Sequence, residues 1–89
     1  MSMDALRLME LGEEYVVERE INEYTNEIKY FIESRNSMVA CRIDSEKNID
    51  YYVTDVDNSV SQYAKIEMDA LMELKEFAEL IIKFNDRGE

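Results

Sequence analysis

Between residues 13 and 35 the apolar positions Val17, Ile21, Tyr24, Ile28 and Phe31 recur at 4-3-4-3 spacing. That spacing is one stripe on a period of about 3.6 residues, and it predicts a long amphipathic helix. Turning about 100° per residue places Glu13, Glu20, Glu23 and Glu27 together on one flank of the stripe, away from Arg19 and Lys29. In a helix such like-charged neighbours cost about 0.2–0.5 kcal/mol per pair. The stretch "EREINEYTNE" therefore either has little at stake or uses its charge.

After Asn36 and Ser37 the period changes to two. "MVACRID" (38–44) and "IDYYVTD" (49–55) read as strands of a hairpin joined by "SEKN". One register sets Val39, Cys41 and Ile43 opposite Val53, Tyr51 and Ile49, all on one face. Residues 2–11 read as a shorter helical segment with Ser2 as N-cap, which Gly12 ends or kinks. Ser59, Val60, Ser61 and Gln62 have the form of a capping box opening a helix that runs to about residue 87. Its broad apolar arc includes Val60, Tyr63, Leu71, Leu74, Phe77, Ile81 and Phe84. Lys83 and Arg87 suit its C-terminal dipole, and Gly88 suits its cap. With no proline and only two glycines, breakers are few. The expected fold is a single α+β domain over 1–89 in α-β-β-α order, two long helices packed with one antiparallel β-hairpin.

Charge then narrows the partners. Twenty-one acidic against ten basic residues give a net charge of −11, which repels nucleic acid and anionic membrane and steers the chain toward basic surfaces. No apolar run approaches the roughly 18 residues of a membrane span, and no signal-peptide pattern opens the chain. With Cys41 as the only cysteine, no internal disulfide forms. A cytoplasmic protein is expected, binding neither membrane nor nucleic acid directly.

Chemistry is sparse. There is no histidine, the commonest general base and zinc ligand, and no glycine-rich phosphate loop. Cys41 falls on the apolar face of the hairpin and reads as a plain buried thiol. Asp55 to Ser59 begins like a calcium loop but lacks the turn glycine and has Ile66 at the twelfth position. Glu67, inside the apolar arc, reads as a carboxylate reaching out to water. No catalytic residue, cofactor or metal ligand is expected, and the chain is not read as an enzyme. Of the tyrosines, Tyr24, Tyr51 and Tyr63 fall on apolar faces, while Tyr15, Tyr30 and Tyr52 point elsewhere. Met68 and Met72 are expected to pack under residues 2–11.

What remains is binding. A row of carboxylates on a rigid element has spacing comparable to backbone phosphates, so a basic groove built for nucleic acid would accept it. The short chain, the helix–hairpin–helix order and the acids crowded at 13–27 and 50–57 without catalytic residues resemble, in layout and composition, small phage-encoded inhibitors of bacterial defence of the anti-CRISPR and DNA-mimic type. That resemblance implies a stoichiometric inhibitor occupying a nucleic-acid-binding groove on a nuclease or its assembly. The candidate partner-binding residues are Glu13, Glu20, Glu23 and Glu27, extended by Asp50, Asp55 and Asp57. The alternative is a homodimeric structural or regulatory module whose acidic face serves only solvation.

Overall fold

A computed structural model describes residues 2–53 and 68–86. In chain order they form α1 (Met3–Gly12), β1 (Tyr15–Ile21), β2 (Ile28–Ser34), β3 (Val39–Ile43), β4 (Ile49–Val53) and α2 (Met68–Asp86). The class is mixed α+β in helix–strands–helix order. The sheet, however, has four antiparallel strands in the order β1-β2-β3-β4 and not a single hairpin.

The difference lies in residues 13–35, where the expected long helix is replaced by a second hairpin. Val17, Ile21 and Ile28 of the helical stripe also fit an alternation: Ile28, Tyr30 and Ile32 share one face of β2 across from Ile21, Arg19 and Val17 of β1, while Phe31 falls on the other face. Val16, Val17, Ile21, Ile28 and Ile32 are β-branched and favour a pleated strand. The turn is written in "NEYTN". The Asn22 side-chain oxygen accepts from the N–H of Tyr24 (2.9 Å) and of Thr25 (3.2 Å). The Asn26 N–H donates to the Asn22 carbonyl (2.8 Å), and Asn26 itself sits at φ 62°, a left-handed conformation that asparagine tolerates. The hairpin also relieves the charge crowding of the helix, because Glu18 now faces Phe31 and Glu20 faces Lys29.

The second hairpin has the register expected from its alternation: Val39, Cys41 and Ile43 pair with Val53, Tyr51 and Ile49. Asp44 holds its turn. The Asp44 carboxylate accepts from the N–H of Glu46 and of Asn48 (both 2.9 Å), while Lys47 takes the left-handed position at φ 70°. At the N-terminus Ser2 caps α1, its hydroxyl accepting from the Ala5 N–H at 3.1 Å.

Both helices lie on one face of the sheet. α2 covers β3, so Leu74, Phe77, Ala78 and Ile81 pack against Ile32, Val39, Cys41 and Ile43. Fully burying such a side chain contributes about 1.5–3 kcal/mol. α1 runs antiparallel beside α2, inserting Leu11 into this core. The pair is pinned by a two-pronged Arg7–Glu76 ion pair (2.8 and 3.0 Å) and by Lys83 with Asp4. The other sheet face carries no second layer among the described residues, and the molecule is only 18 Å thick.

Several expectations change with the hairpin. Tyr15 is core, 4% exposed and stacked on Phe77 with ring centroids 4.7 Å apart, while Tyr24 is 96% exposed at the turn. Tyr51 is partly exposed, and Met68 and Met72 are exposed and not covered by α1. The predicted cap at Ser59, Tyr63, Glu67 and the closing Arg87 and Gly88 lie outside the described residues.

Leu74 is wholly buried and Leu6 half-exposed on α1. Urea unfolding should show Leu74→Ala losing about 2–5 kcal/mol, while Leu6→Ala stays within about 0.5 kcal/mol of the parent.

Candidate protein-binding site

The turn end of the β1–β2 hairpin forms an arm away from the buried core, while Tyr15, Tyr30 and Ile32 nearer its base pack in or against that core. Only Tyr15 at its base is buried in β1, and every other residue of that strand is exposed. Val17 and Ile21 point to the helix side of the sheet, yet α2 does not reach them and they stay 42% and 49% exposed. At the tip, the Asn22 turn holds Glu23 and Tyr24 out into solvent, with Glu20 near the end of β1 and Glu27 just before β2.

The expected acidic row is thus only partly assembled. Glu23 lies on the turn at the arm tip, with Glu20 near the end of β1 opposite Lys29 and Glu27 just before β2, not on a helical flank. Glu13 caps the C-terminus of α1 at the opposite end of β1, about 23 Å away for seven residues at roughly 3.3 Å each. Asp50 lies on the open sheet face and bonds Arg42 at 3.0 Å, so its charge is locally balanced. Asp55 and Asp57 lie outside the described residues. The sequence placed Val17, Ile21 and Tyr24 on the apolar stripe of a helix and left Val16 unnamed, whereas all four are exposed on the arm. Their signal was present in the β-branched pair at 16–17 and the asparagines bracketing the turn.

Around the base of the arm the electrostatics are mixed. The Glu14 carboxyl is held above its ordinary pKa, first by a hydrogen bond with Glu73 and then by the charge of that residue. Tyr15 donates its hydroxyl to Glu73 Oε1 at 3.1 Å, and burial, followed by the Glu73 charge, raises the phenol well above its usual range. Glu76 is held below the usual carboxylate range by its hydrogen bond to Arg7, and Asp44 by the backbone N–H of Asn48. Burial pushes the Cys41 thiol up to about 12, so it is not a thiolate at neutral pH.

A 620 Å³ groove opens between the arm, the β3–β4 turn and the C-terminal end of α2, where Arg19, Tyr30, Ile43, Ile82 and Asn85 line it. Among the described residues no group of three His, Cys, Asp or Glu side chains is placed to hold a metal ion, and no helix is long and apolar enough to cross a membrane. Comparison with protein-family models, curated proteins and solved structures found no match.

The two classes of carboxylate give opposite pH responses. A carboxyl raised on folding stabilises fully only below its unfolded pKa, and that contribution is lost as pH rises through the folded value. A lowered one stabilises above its unfolded pKa and loses that as pH falls through the folded value. Thermal melts should therefore show Glu14→Gln above the parent at pH 7 and Glu76→Gln below it, with both differences shrinking toward pH 3.

Proposed function

We propose that the protein is a non-enzymatic, protein-binding inhibitor, phage-encoded and acting in the cytoplasm of the host cell. It occupies a nucleic-acid-binding groove of a host defence nuclease, such as a CRISPR effector, by presenting carboxylates where phosphates would lie. The observation that carries this reading is the arm tip. Glu23 and Tyr24 sit exposed on a turn fixed by its own hydrogen bonds, with Glu20 opposite Lys29 in the strand before it and Glu27 after it, beside the groove. A rigid projecting element loses little conformational freedom on insertion. The net charge of −11 steers it toward basic surfaces. The remaining candidates contribute less: Glu13 lies far from the tip, and Arg42 already pairs with Asp50.

A homodimeric module is the second reading, favoured by the exposed apolar residues Met3, Leu6 and Met9 along α1.

The test titrates the protein into purified CRISPR effector complexes and other defence nucleases while cleavage of labelled DNA is followed. Inhibition should saturate at one equivalent, weaken as salt rises, and fall by roughly tenfold or more in a Glu20→Gln, Glu23→Gln, Glu27→Gln variant whose melting is unchanged. Undiminished cleavage across the panel, with a dimer in sedimentation equilibrium that the triple variant retains, would favour the second reading.

A further inference from the structure

Two backbone hydrogen bonds fix which side of β1 faces its neighbour. The Arg35 N–H donates to the Glu14 carbonyl and the Asn22 N–H to the Glu27 carbonyl. Bonded residues alternate along an antiparallel ladder, so Val16, Glu18 and Glu20 bond β2. Val17, Arg19 and Ile21 turn their N–H and C=O groups outward. β1 is the terminal strand of the sheet, and no described residue pairs with that edge.

Proteins guard such edges by shortening the strand, adding proline or a bulge, or covering it. Among the described residues β1 has none of these: it runs seven residues without proline, in unbroken register with β2. Its guard is charge alone, and that charge is selective. Antiparallel pairing with a second copy, centred on Glu18, sets Glu18 against its own copy. Centring on Arg19 sets Glu18 against Glu20, and centring on Val17 sets Glu14 against Glu20. Within β1 the registers centred on Glu18 and Arg19 oppose like charges, and the one centred on Val17 does so only through Glu14 just before the strand; such pairs are destabilising.

We propose that the free edge of β1 takes up an extended segment of a basic protein as an antiparallel fifth strand. This rests on the partner being basic, as in the function proposed above. Alternation fixes the pattern of the segment. Residues opposite Val16, Glu18 and Glu20 lie on the open sheet face and are Lys or Arg. The residues between them lie on the helix side, cover Val17 and Ile21, and are apolar. The latter also make the ladder bonds, because they stand opposite the outward-facing amides. Strand addition of this kind draws affinity from the main chain and specificity from alternate side chains.

The probe is a labelled, end-blocked heptapeptide alternating Lys and Val, followed by fluorescence anisotropy with the full chain. Methylating the Val backbone nitrogens should weaken binding at least about tenfold, and methylating the Lys nitrogens should not. Arg19→Pro removes an outward N–H while sparing every bond to β2. It makes the chain more acidic, yet it should weaken binding to a similar extent, with circular dichroism unchanged. Should the Val-methylated peptide bind as well as its parent, while Glu18→Gln and Glu20→Gln weaken both, strand addition is overturned and charge attraction alone survives. Failure of the heptapeptide to bind also overturns it, as does a dimer that Arg19→Pro dissociates. Strand binding that persists when no nuclease is inhibited would support the edge site and count against the inhibitor.

Discussion

The contact between β3 and α2 holds the molecule together. Val39, Cys41 and Ile43 are shielded on the helix side by Leu74, Phe77, Ala78 and Ile81, with Ile32 of β2 completing the layer. Dispersion and hydrophobic burial concentrate there because the chain is short and strongly charged, and it has few apolar residues to spend elsewhere. β2 and β4 flank β3 through ladder bonds. α1 is fastened mainly to α2 through Leu11, Arg7 and Asp4.

Distance from that contact explains the division of labour. β1 touches the core only at Tyr15, whose ring rests on Phe77 and whose hydroxyl reaches Glu73. Beyond Tyr15 the arm leaves large apolar side chains exposed, Val17 and Ile21 in part and Tyr24 almost fully, along with the acids at its tip. Apolar side chains left in water beside an unpaired backbone edge are a liability in a protein with nothing to bind. The same features suit a protein that meets a basic partner. In the function proposed above, charge would steer the encounter, and main chain and exposed apolar surface would dock it.

How much of this the sequence revealed depended on how cleanly each segment used one period. Residues 39–43 and 49–53 keep an apolar residue at every second position, so the pairing of Val39, Cys41 and Ile43 with Val53, Tyr51 and Ile49 was legible, as was the Ser2 cap. Residues 13–35 satisfy two periods at once. The positions 17, 21, 24, 28 and 31 make a helical stripe only because a six-residue connection, residues 22–27, separates two strands and carries Tyr24 at the spacing a helix would use. Asn22 and Asn26 marked the turn but lacked the glycine that usually announces one. Reading the segment as a helix also exchanged Tyr15 and Tyr24 between core and surface. The candidate acids suffered in the same way: Glu20, Glu23 and Glu27 stay together because they are close in sequence, whereas Glu13 depended on helical geometry and is lost from the group.

Amide hydrogen exchange resolved by residue tests the arm most directly. With β1 as a free-edged strand, the N–H groups of Val16, Glu18 and Glu20 are protected by their bonds to β2, while those of Val17, Arg19 and Ile21 exchange rapidly. Uninterrupted protection from about residue 17 onward, as a helix would give, or equal protection of both sets, would contradict the account.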